Sequence, residues 1–307
     1  MKTLIDRQFD FMGKRWVAFA ISGLLILASL VSLLLQGLNL GLDFTGGTLV
    51  EVRYAVAPSL DAVRQTLEGA EFRDVSVQTF GATNEVLIRL QQAFDPEVGN
   101  RVVELLREGG DRVDLVRAEF VGAQVGDQLR DQSGMGLLVA LGIVMLYVAF
   151  RFQYKFAIGA LLALIHDVIV VVGAFSLFQW EFDLTVLAAL LAVIGYSLND
   201  TIVVYDRIRE SIRKSRIDDM PAIFNEAINL TLSRTLATSG TTLLVLIALL
   251  LLGGDMIQNF SIALIFGIVV GTFSSIYVAA ALLLSVRLQR EDLIPAKKED
   301  PEAEELP

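Results

Sequence analysis

The stretch that decides the fold runs from Leu184 to Tyr205 and reads LTVLAALLAVIGYSLNDTIVVY. As a helix it is long enough to cross roughly 30 Å of hydrocarbon, and its only charged residue is Asp200. Backbone amides in lipid must find their hydrogen-bond partners within the segment, so the run is predicted to be a transmembrane helix. A single acid inside such a helix is expensive to keep there, which makes it the first candidate for function.

Five further blocks of this kind predict a polytopic α-helical membrane protein with six transmembrane helices. The chain is 54% hydrophobic with a mean hydropathy of +0.60, and its apolar residues are concentrated in these blocks. Buried helices of a soluble protein are the alternative, but six blocks of about 18 residues or more argue against it. The predicted helices are residues 16–37, 133–150, 156–178, 184–205, 235–252 and 258–286.

The first block, residues 16–37, has two interpretations. A cleaved signal peptide has an apolar core of roughly 7–15 residues followed by a small-residue cleavage site, whereas this core runs for about 20 residues without such a site after it. We therefore interpret the block as a retained membrane anchor.

Lysine and arginine fix the predicted orientation. The short turns 179–183 and 253–257 contain neither residue, whereas the other short segments are basic. The positive-inside rule then places the basic segments in the cytoplasm and the long segment 38–132 on the outer side of the membrane. The predicted cytoplasmic parts are the N-terminus 1–15, the turn 151–155, the loop 206–234 and the tail 287–307.

Segment 38–132 is predicted to be a small α+β domain between the first and second transmembrane helices. Apolar residues alternate over 48–56, 75–79 and 86–90, as they do in half-buried strands, and 113–120 is predicted to be a last strand. Helical stretches follow the first and the third of these strands, and the turn 81–84 joins the second to the third. The resulting order, β-α-β-β-α-β, is the ferredoxin-like pattern. The segment contains no histidine, so a Ser-His-Asp arrangement cannot form in it. A binding or coupling module is the better interpretation than an enzyme.

Composition excludes several other classes of function. The net charge of −10 argues against a nucleic-acid partner. The absence of cysteine excludes disulfide and thiolate chemistry. The sequence contains no P-loop pattern for nucleotide hydrolysis.

Asp200 lies in the polar run Ser197-Leu198-Asn199-Asp200-Thr201, and Ser197 and Thr201 share its helix face. The residue is roughly 10 Å inside the membrane when counted from Arg207 at 1.5 Å per residue. A carboxyl group in an apolar setting is costly to charge, so it is suited to taking up and releasing a proton. A proton site and a structural hydrogen bond between helices remain equally good interpretations from the chemistry alone.

Arg234 opens the fifth helix within a run rich in hydroxyl groups, Thr231–Thr242. If the fourth and fifth helices are antiparallel neighbours, Arg234 lies near the same membrane surface as Asp200 and the two could pair as a switch. The alternative is an interfacial arginine that obeys the positive-inside rule, and taken alone this is the better interpretation.

His166 and Asp167 lie near the middle of the third helix, about 16 Å from its start. Neighbouring helical residues point about 100° apart, so they are not expected to face one partner. A proton relay and a structural pair are equally good interpretations. One histidine and scattered carboxylates give no metal-ligand spacing, so no metal site is predicted.

The loop 206–234 is basic and amphipathic. Its apolar residues are expected to lie on the membrane surface, with the basic residues toward lipid phosphates. These apolar residues are Ile208, Ile212, Ile223, Phe224 and Ile228.

Several of these motifs together resemble the SecF family, the smaller half of the bacterial SecD–SecF protein-export membrane complexes. They span most of the chain, and those of the fourth and fifth helices are the most specific. The run Asp43-Phe44-Thr45-Gly46-Gly47 is shared with SecD and is expected to be a structural motif. The matching stretches are Phe9–Lys14, Gly41–Gly47, Leu164–Asp167, Ala192–Arg207 and Leu232–Thr242.

The resemblance implies a fold of the resistance-nodulation-division type, in which this chain supplies six helices and SecD supplies six more. It implies a non-enzymatic subunit of the bacterial inner membrane, with a periplasmic domain that contacts the unfolded polypeptide during translocation. The complex is expected to assist the SecYEG channel and SecA, using the proton-motive force and no cofactor other than protons.

By the same resemblance, Asp200 and Arg234 are implicated in proton passage, with Ser197, Asn199 and Thr201 alongside them. Two rival interpretations remain. One is half of a proton-driven exporter of small molecules or lipids, and the other is an assembly factor that only scaffolds partner helices.

Overall fold

The computed structural model describes residues 9–70, 72, 75–80, 82–90, 95–215, 219–254, 257–286, 288 and 292–293. Most of the predicted tail 287–307 and the first eight residues of the predicted segment 1–15 lie outside the described residues.

The described chain is a helical bundle with an α+β domain inserted after the first long helix. The helices are α1 (Arg15–Leu35), α2 (Leu42–Thr45), α3 (Leu60–Ala70), α4 (Val98–Glu108), α5 (Ala123–Arg151), α6 (Tyr154–Phe178), α7 (Leu184–Lys214), α8 (Met220–Leu252), α9 (Gln258–Phe273) and α10 (Ala280–Ser285). A π-helical segment, Ser274–Ala279, joins α9 to α10 without a break. The strands are β1 (Asn39–Leu40), β2 (Gly47–Tyr54), β3 (Ser76–Phe80), β4 (Ala82–Leu90), β5 (Val113–Val121) and β6 (Glu181–Phe182).

Among the described residues, six helical rods are long and apolar enough to cross a membrane, as the sequence predicted. They are α1, α5, α6, α7, α8 and the continuous rod from α9 to α10. Two glycines on α9 allow it to lie close against α7. A side chain at Gly267 would overlap Val193, and one at Gly271 would lie 3.0 Å from Ser197 Cβ. Small residues at such crossings let helix backbones approach, which compensates for the weak driving force between helices in lipid.

The α+β domain has the predicted ferredoxin-like topology. Its four-stranded sheet is antiparallel, in the order β3-β4-β2-β5. Helices α3 and α4 cover one face, where Val52, Ile88 and Val102 are fully buried in an apolar core. Alternation along β2 and β4 places Val52 and Ile88 on the same face of the sheet, so the period-2 pattern of the sequence accounts for the burial of that face.

The Asp43–Gly47 motif joins the domain to the bundle. Asp43 Oδ2 accepts a hydrogen bond from the backbone N–H of Leu184 at 3.0 Å, so it caps the start of α7. Gly46 and Gly47 have φ values of 67° and 125°, and a side chain at Gly47 would lie 2.6 Å from the carbonyl oxygen of Leu90. Glycine is therefore needed for this turn, because only it adopts such angles without a steric cost.

A second contact between domain and bundle lies at the connection between α6 and α7. The short strand β6 in that connection pairs in parallel with β1. Arg89 on β4 forms an ion pair with Glu181 on β6. Backbone pairing and an ion pair thus hold the inserted domain to the bundle at this connection.

Two predicted boundaries differ from the structure. Helix α5 begins at Ala123, ten residues before the predicted start at 133, so the end of the predicted domain 38–132 belongs to a helix. Hydropathy did not reveal this first part because it carries Asp127, Arg130 and Asp131. The predicted loop 206–234 is mostly helical, since α7 continues to Lys214 and α8 begins at Met220.

The expectation that the apolar residues of 206–234 lie on the membrane surface is wrong. The helical extensions of α7 and α8 pack against each other and turn these side chains into the largest apolar core of the bundle, which releases more apolar surface from water than a surface position would. The residues concerned are Ile208, Ile212, Ile223, Phe224 and Ile228, each at most 4% exposed.

Candidate functional site

Asp200 lies on α7 inside the bundle, where its side chain meets two other helical rods. Thr235 on α8 donates a hydrogen bond to Asp200 Oδ1 at 2.7 Å, and Ser275 on the π segment donates to Oδ2 at 2.6 Å. The aspartate is 7% exposed. Both carboxyl oxygens are therefore held by hydroxyl groups, one from each neighbouring element.

The π segment places Ser275 toward α7. A π-helical turn is wider than an α-helical turn, and such turns occur often at functional sites. Ser275 Oγ also lies 3.0 Å from the backbone oxygen of Thr272, one turn earlier on the rod. The serine hydroxyl thus has a second acceptor available when Asp200 is not ionised.

Hydroxyl partners suit a group that changes its protonation state. A carboxylate needs hydrogen-bond donors, whereas a carboxylic acid must also find an acceptor for its own proton. The hydroxyls of Thr235 and Ser275 can serve in either role, because a hydroxyl carries one donor and two acceptor lone pairs. A cation such as arginine could only stabilise the ionised form.

Arg234 is not part of this arrangement. Within the described residues no ion pair joins it to Asp200 or to another carboxylate, and its side chain is exposed. It lies in a surface groove beside α7, one residue before the threonine that contacts Asp200. The other charged residues that line this groove are Arg151, Asp206, Arg207 and Glu210.

His166 and Asp167 form a second polar cluster, and they bond to each other. His166 Nδ1 lies 2.8 Å from Asp167 Oδ1, which sequence spacing did not suggest. Ser197 on α7 donates to Asp167 Oδ2 at 2.5 Å. All three side chains are at most 3% exposed. Because Ser197 is one helical turn from Asp200, the two clusters meet along α7.

The remaining residues of the predicted pathway divide into buried and exposed. Thr201 is 2% exposed and lies inside the bundle, whereas Asn199 is exposed on the outer face of α7. Farther along the same interior, Ser239 on α8 and Thr272 on α9 share a hydrogen bond at 2.8 Å. Hydroxyl groups therefore line the space between α7, α8 and α9 over more than one turn.

Sequence reasoning missed Thr235 and Ser275 as the partners of Asp200. Thr235 lies inside the hydroxyl-rich run 231–242, but the family resemblance implicates the preceding residue, Arg234. For Ser275 the available signal was the pair of serines in an otherwise apolar block, since serine in a membrane helix commonly marks a helix contact.

The segment before α1 is tied to α8 by two asparagines. Asn225 Oδ1 accepts from the backbone N–H groups of Phe11 and Met12, at 2.9 and 2.8 Å, and Asn229 accepts from Phe9 N–H at 2.9 Å. Asp10 accepts from Gly13 N–H and from Asn225, and these bonds hold the pKa of its carboxyl below the usual range. The Phe9–Lys14 motif thereby fixes the end of α8 that leads to Thr235.

No group of three or more histidine, cysteine or acidic residues suited to a metal ion occurs in the part of the chain that the structure describes. The described site is thus a set of carboxyl, imidazole and hydroxyl groups.

Fold and site together define a class of protein: a six-helix integral membrane protein with an inserted ferredoxin-like domain and a polar seam inside its bundle. Two family models match the chain. "Protein export membrane protein SecD/SecF, C-terminal" matches residues 101–289, and "SecD/SecF GG Motif" matches residues 31–57. The chain belongs to the SecD/SecF protein-export family, as the sequence resemblance predicted.

Individual relatives are similar in sequence to this chain over nearly its whole length. The "Protein translocase subunit SecF" of Pseudomonas aeruginosa is 51% identical over 95% of each chain. The protein of the same name from Vibrio alginolyticus is 48% identical over 98% of each chain. The crystal structure of SecDF from Thermus thermophilus, described as a translocon-associated membrane protein, superposes with a TM-score of 0.85 at 38% identity. That match covers 93% of this chain and 40% of the longer SecDF chain.

Proposed function

We propose that this chain is an auxiliary subunit of the bacterial Sec protein translocase, and that it uses the proton-motive force through Asp200. Membership of the protein-export family supports the first part. The second part rests on one observation: the buried Asp200 carboxyl is held by two hydroxyls and by no cation among the described residues. Such a site accommodates both the protonated and the ionised acid, which a coupling proton requires.

SecD is the proposed partner for the exposed polar face of the bundle. Asn199 and Arg234 are exposed on α7 and α8, two helices long and apolar enough to span a membrane, and contact with lipid would be costly for both residues. A second six-helix unit on this face would remove them from lipid. The longer SecDF chain, of which this chain matches 40%, has room for such a second unit. Arg234 would then meet its counter-charge across the interface.

The remaining parts of the proposal concern location and cargo. The basic helix ends support a location in the inner membrane with both termini on the cytoplasmic side and the ferredoxin-like domain in the periplasm. There the domain would contact the unfolded polypeptide as it leaves the SecYEG channel, after SecA has driven its entry. Proton movement past Asp200 would be coupled to movement of this domain through α7, whose first turn is capped by Asp43 of the joining motif.

The test is the maturation of a secreted protein in cells that carry Asp200→Asn. Asparagine keeps the shape and one acceptor oxygen but cannot take up a proton, so maturation is expected to fall to the rate measured after the proton-motive force is collapsed. Arg234→Met is expected to give the same loss. Glu226→Gln is the matched control, because Glu226 is an exposed acid on α8 that does not line the groove of Arg234. Normal, force-dependent maturation in Asp200→Asn at normal protein level would overturn the proposal. Normal export together with sensitivity to toxic small molecules would favour an exporter instead.

A further inference from the structure

Two buried polar atoms in the bundle have no hydrogen-bond partner among the described residues, and they lie on helices that pack together. Ser22 on α1 is 4% exposed, and its Oγ is unpartnered. His166 on α6 is 3% exposed, and its Nε2 is unpartnered. Buried polar groups are nearly always bonded, so each such atom needs an explanation.

The register between α1 and α6 brings these two residues to the same level. Ser32 and Ser176 share a hydrogen bond at 2.8 Å, and a side chain at Gly173 would overlap Ser29. The two pairs have the same spacing in the sequence, so the helices run parallel and in step. Seven residues, two turns or about 10.5 Å, toward the start of both helices lead from Ser29 and Gly173 to Ser22 and His166.

The orientation of the imidazole fits this placement. Seven residues before Gly173, His166 lies on nearly the same face of α6, which faces α1. Its Nδ1 is bonded to Asp167 Oδ1, so Nε2, on the other side of the ring, points away from that acid. The hydroxyl of Ser274 on the π segment is a third buried, unpartnered atom, and this segment packs against both α1 and α6.

We propose that an internal water molecule binds between Ser22 Oγ and His166 Nε2. A buried water is held where two to four polar partners converge, and these two atoms supply the minimum. The water extends the second cluster into a chain: Ser22, water, His166, Asp167 and Ser197. This chain ends one turn from Asp200. Its role as an inner branch of the proton path rests on the proposed function, whereas the water site itself does not.

The single histidine of the chain makes the test site-specific, because labelling histidine with nitrogen-15 labels His166 alone. The full chain, purified into lipid bilayers, is examined by solid-state NMR for magnetisation transfer from water protons to Nε2. We expect clear transfer in the unaltered chain, a loss in Ser22→Ala and retention in Ser22→Thr, which keeps the hydroxyl. Ser29→Ala is the matched control, on the same face of α1 two turns away, and is expected to behave like the unaltered chain.

Absence of transfer in the unaltered chain, or full transfer in Ser22→Ala, would overturn the water site. If Ser22→Ala is unstable, loss of the water signal in Ser22→Val with retention in Ser22→Thr decides the same point. The relay role is tested separately by force-dependent export. Slower export in Ser22→Ala but not in Ser29→Ala supports it, and equal export in both overturns it while leaving the NMR result intact.

Discussion

The inserted domain and the helical bundle bury different chemistry. The core of the domain is apolar, and Glu51, a buried acid on the other face of its sheet, lies 2.6 Å from Arg117. The bundle instead buries His166, Asp167 and Asp200, whose described partners are one another or hydroxyl groups. Water surrounds the domain and could accept its charges at little cost, whereas lipid cannot. The bundle thus buries acids that have no lysine or arginine beside them among the described residues, although burial of an acid is most expensive there.

This difference separates two kinds of requirement. Side chains in the domain core are needed for stability, because removing them leaves a cavity. The buried acids of the bundle each connect two or more helical rods and are poor choices for stability alone, since apolar residues of the same size would pack as well. Substitution in the core of the domain is therefore expected to lower stability, whereas substitution of the buried acids of the bundle is expected to change stability little.

The largest expected effect is that of Ile88→Ala in the domain, set against Asp200→Asn in the bundle. Ile88 is fully buried on β4, so its truncation is expected to lower the free energy of unfolding of the domain by about 2–5 kcal/mol. Asparagine at 200 can still accept from one hydroxyl and donate to the other, so the bundle is expected to lose less than about 1 kcal/mol. Hydrogen exchange of the full chain, read at β4 and at α7, measures both. Equal losses would contradict the comparison.

The next largest effect is the pH dependence of domain stability that comes from Tyr54, the phenol in the core of the domain. Tyr54 is 3% exposed, and burial, with a smaller contribution from Asp111, raises the pKa of its phenol to about 12. The folded state then holds this proton more tightly than the unfolded state, whose pKa is about 10. The contribution to stability is present below pH 10 and is lost between about pH 10 and 12, amounting to roughly 2–3 kcal/mol.

Tyr54→Phe removes this dependence and is the control for that measurement. Phenolate absorbance and domain stability are measured for both proteins from pH 9 to pH 12. The difference in absorbance between the two proteins reports Tyr54 alone, because the five other tyrosines are common to both. A phenolate that forms near pH 10 without loss of stability would show that the core of the domain accepts charge.

Much of this comparison could be predicted from the sequence. The six helices follow from charge-free blocks of membrane length, and the ferredoxin-like domain follows from alternation and turn residues, because both patterns depend only on local spacing. Asp200 could be chosen as a candidate because an acid stands out in an apolar run. The early start of α5 at Ala123 could not, since charged residues hide a helix that continues beyond the membrane.

The partners of Asp200 could not be predicted for a different reason. They depend on the rotation of α8 and of the rod that includes the π segment, and no local pattern reports rotation. Arg234 and Thr235 are adjacent in the sequence, yet Arg234 is exposed in the surface groove beside α7, whereas Thr235 contacts the carboxyl group of Asp200. At 100° per residue, that step turns a side chain from the interior to the surface.

The smallest expected effect tests the border between the two regions, where Arg89 of β4 meets Glu181 of β6. Their side chains are 15% and 20% exposed, so the pair is screened less than a surface ion pair. A double-mutant cycle of Arg89→Gln and Glu181→Gln is expected to give a coupling energy of about 1 kcal/mol. It is measured by hydrogen exchange at the amide of Leu184, which donates to Asp43 beside this contact.

Asp61–Arg64 on α3, 81% and 42% exposed, is the control pair and is expected to give a value near zero. A zero coupling at Arg89–Glu181 would mean that the β1–β6 pairing and the Asp43–Leu184 hydrogen bond hold the domain to the bundle without help from this ion pair. A measurable one would mean that the Arg89–Glu181 ion pair also stabilises the contact between the domain and the bundle.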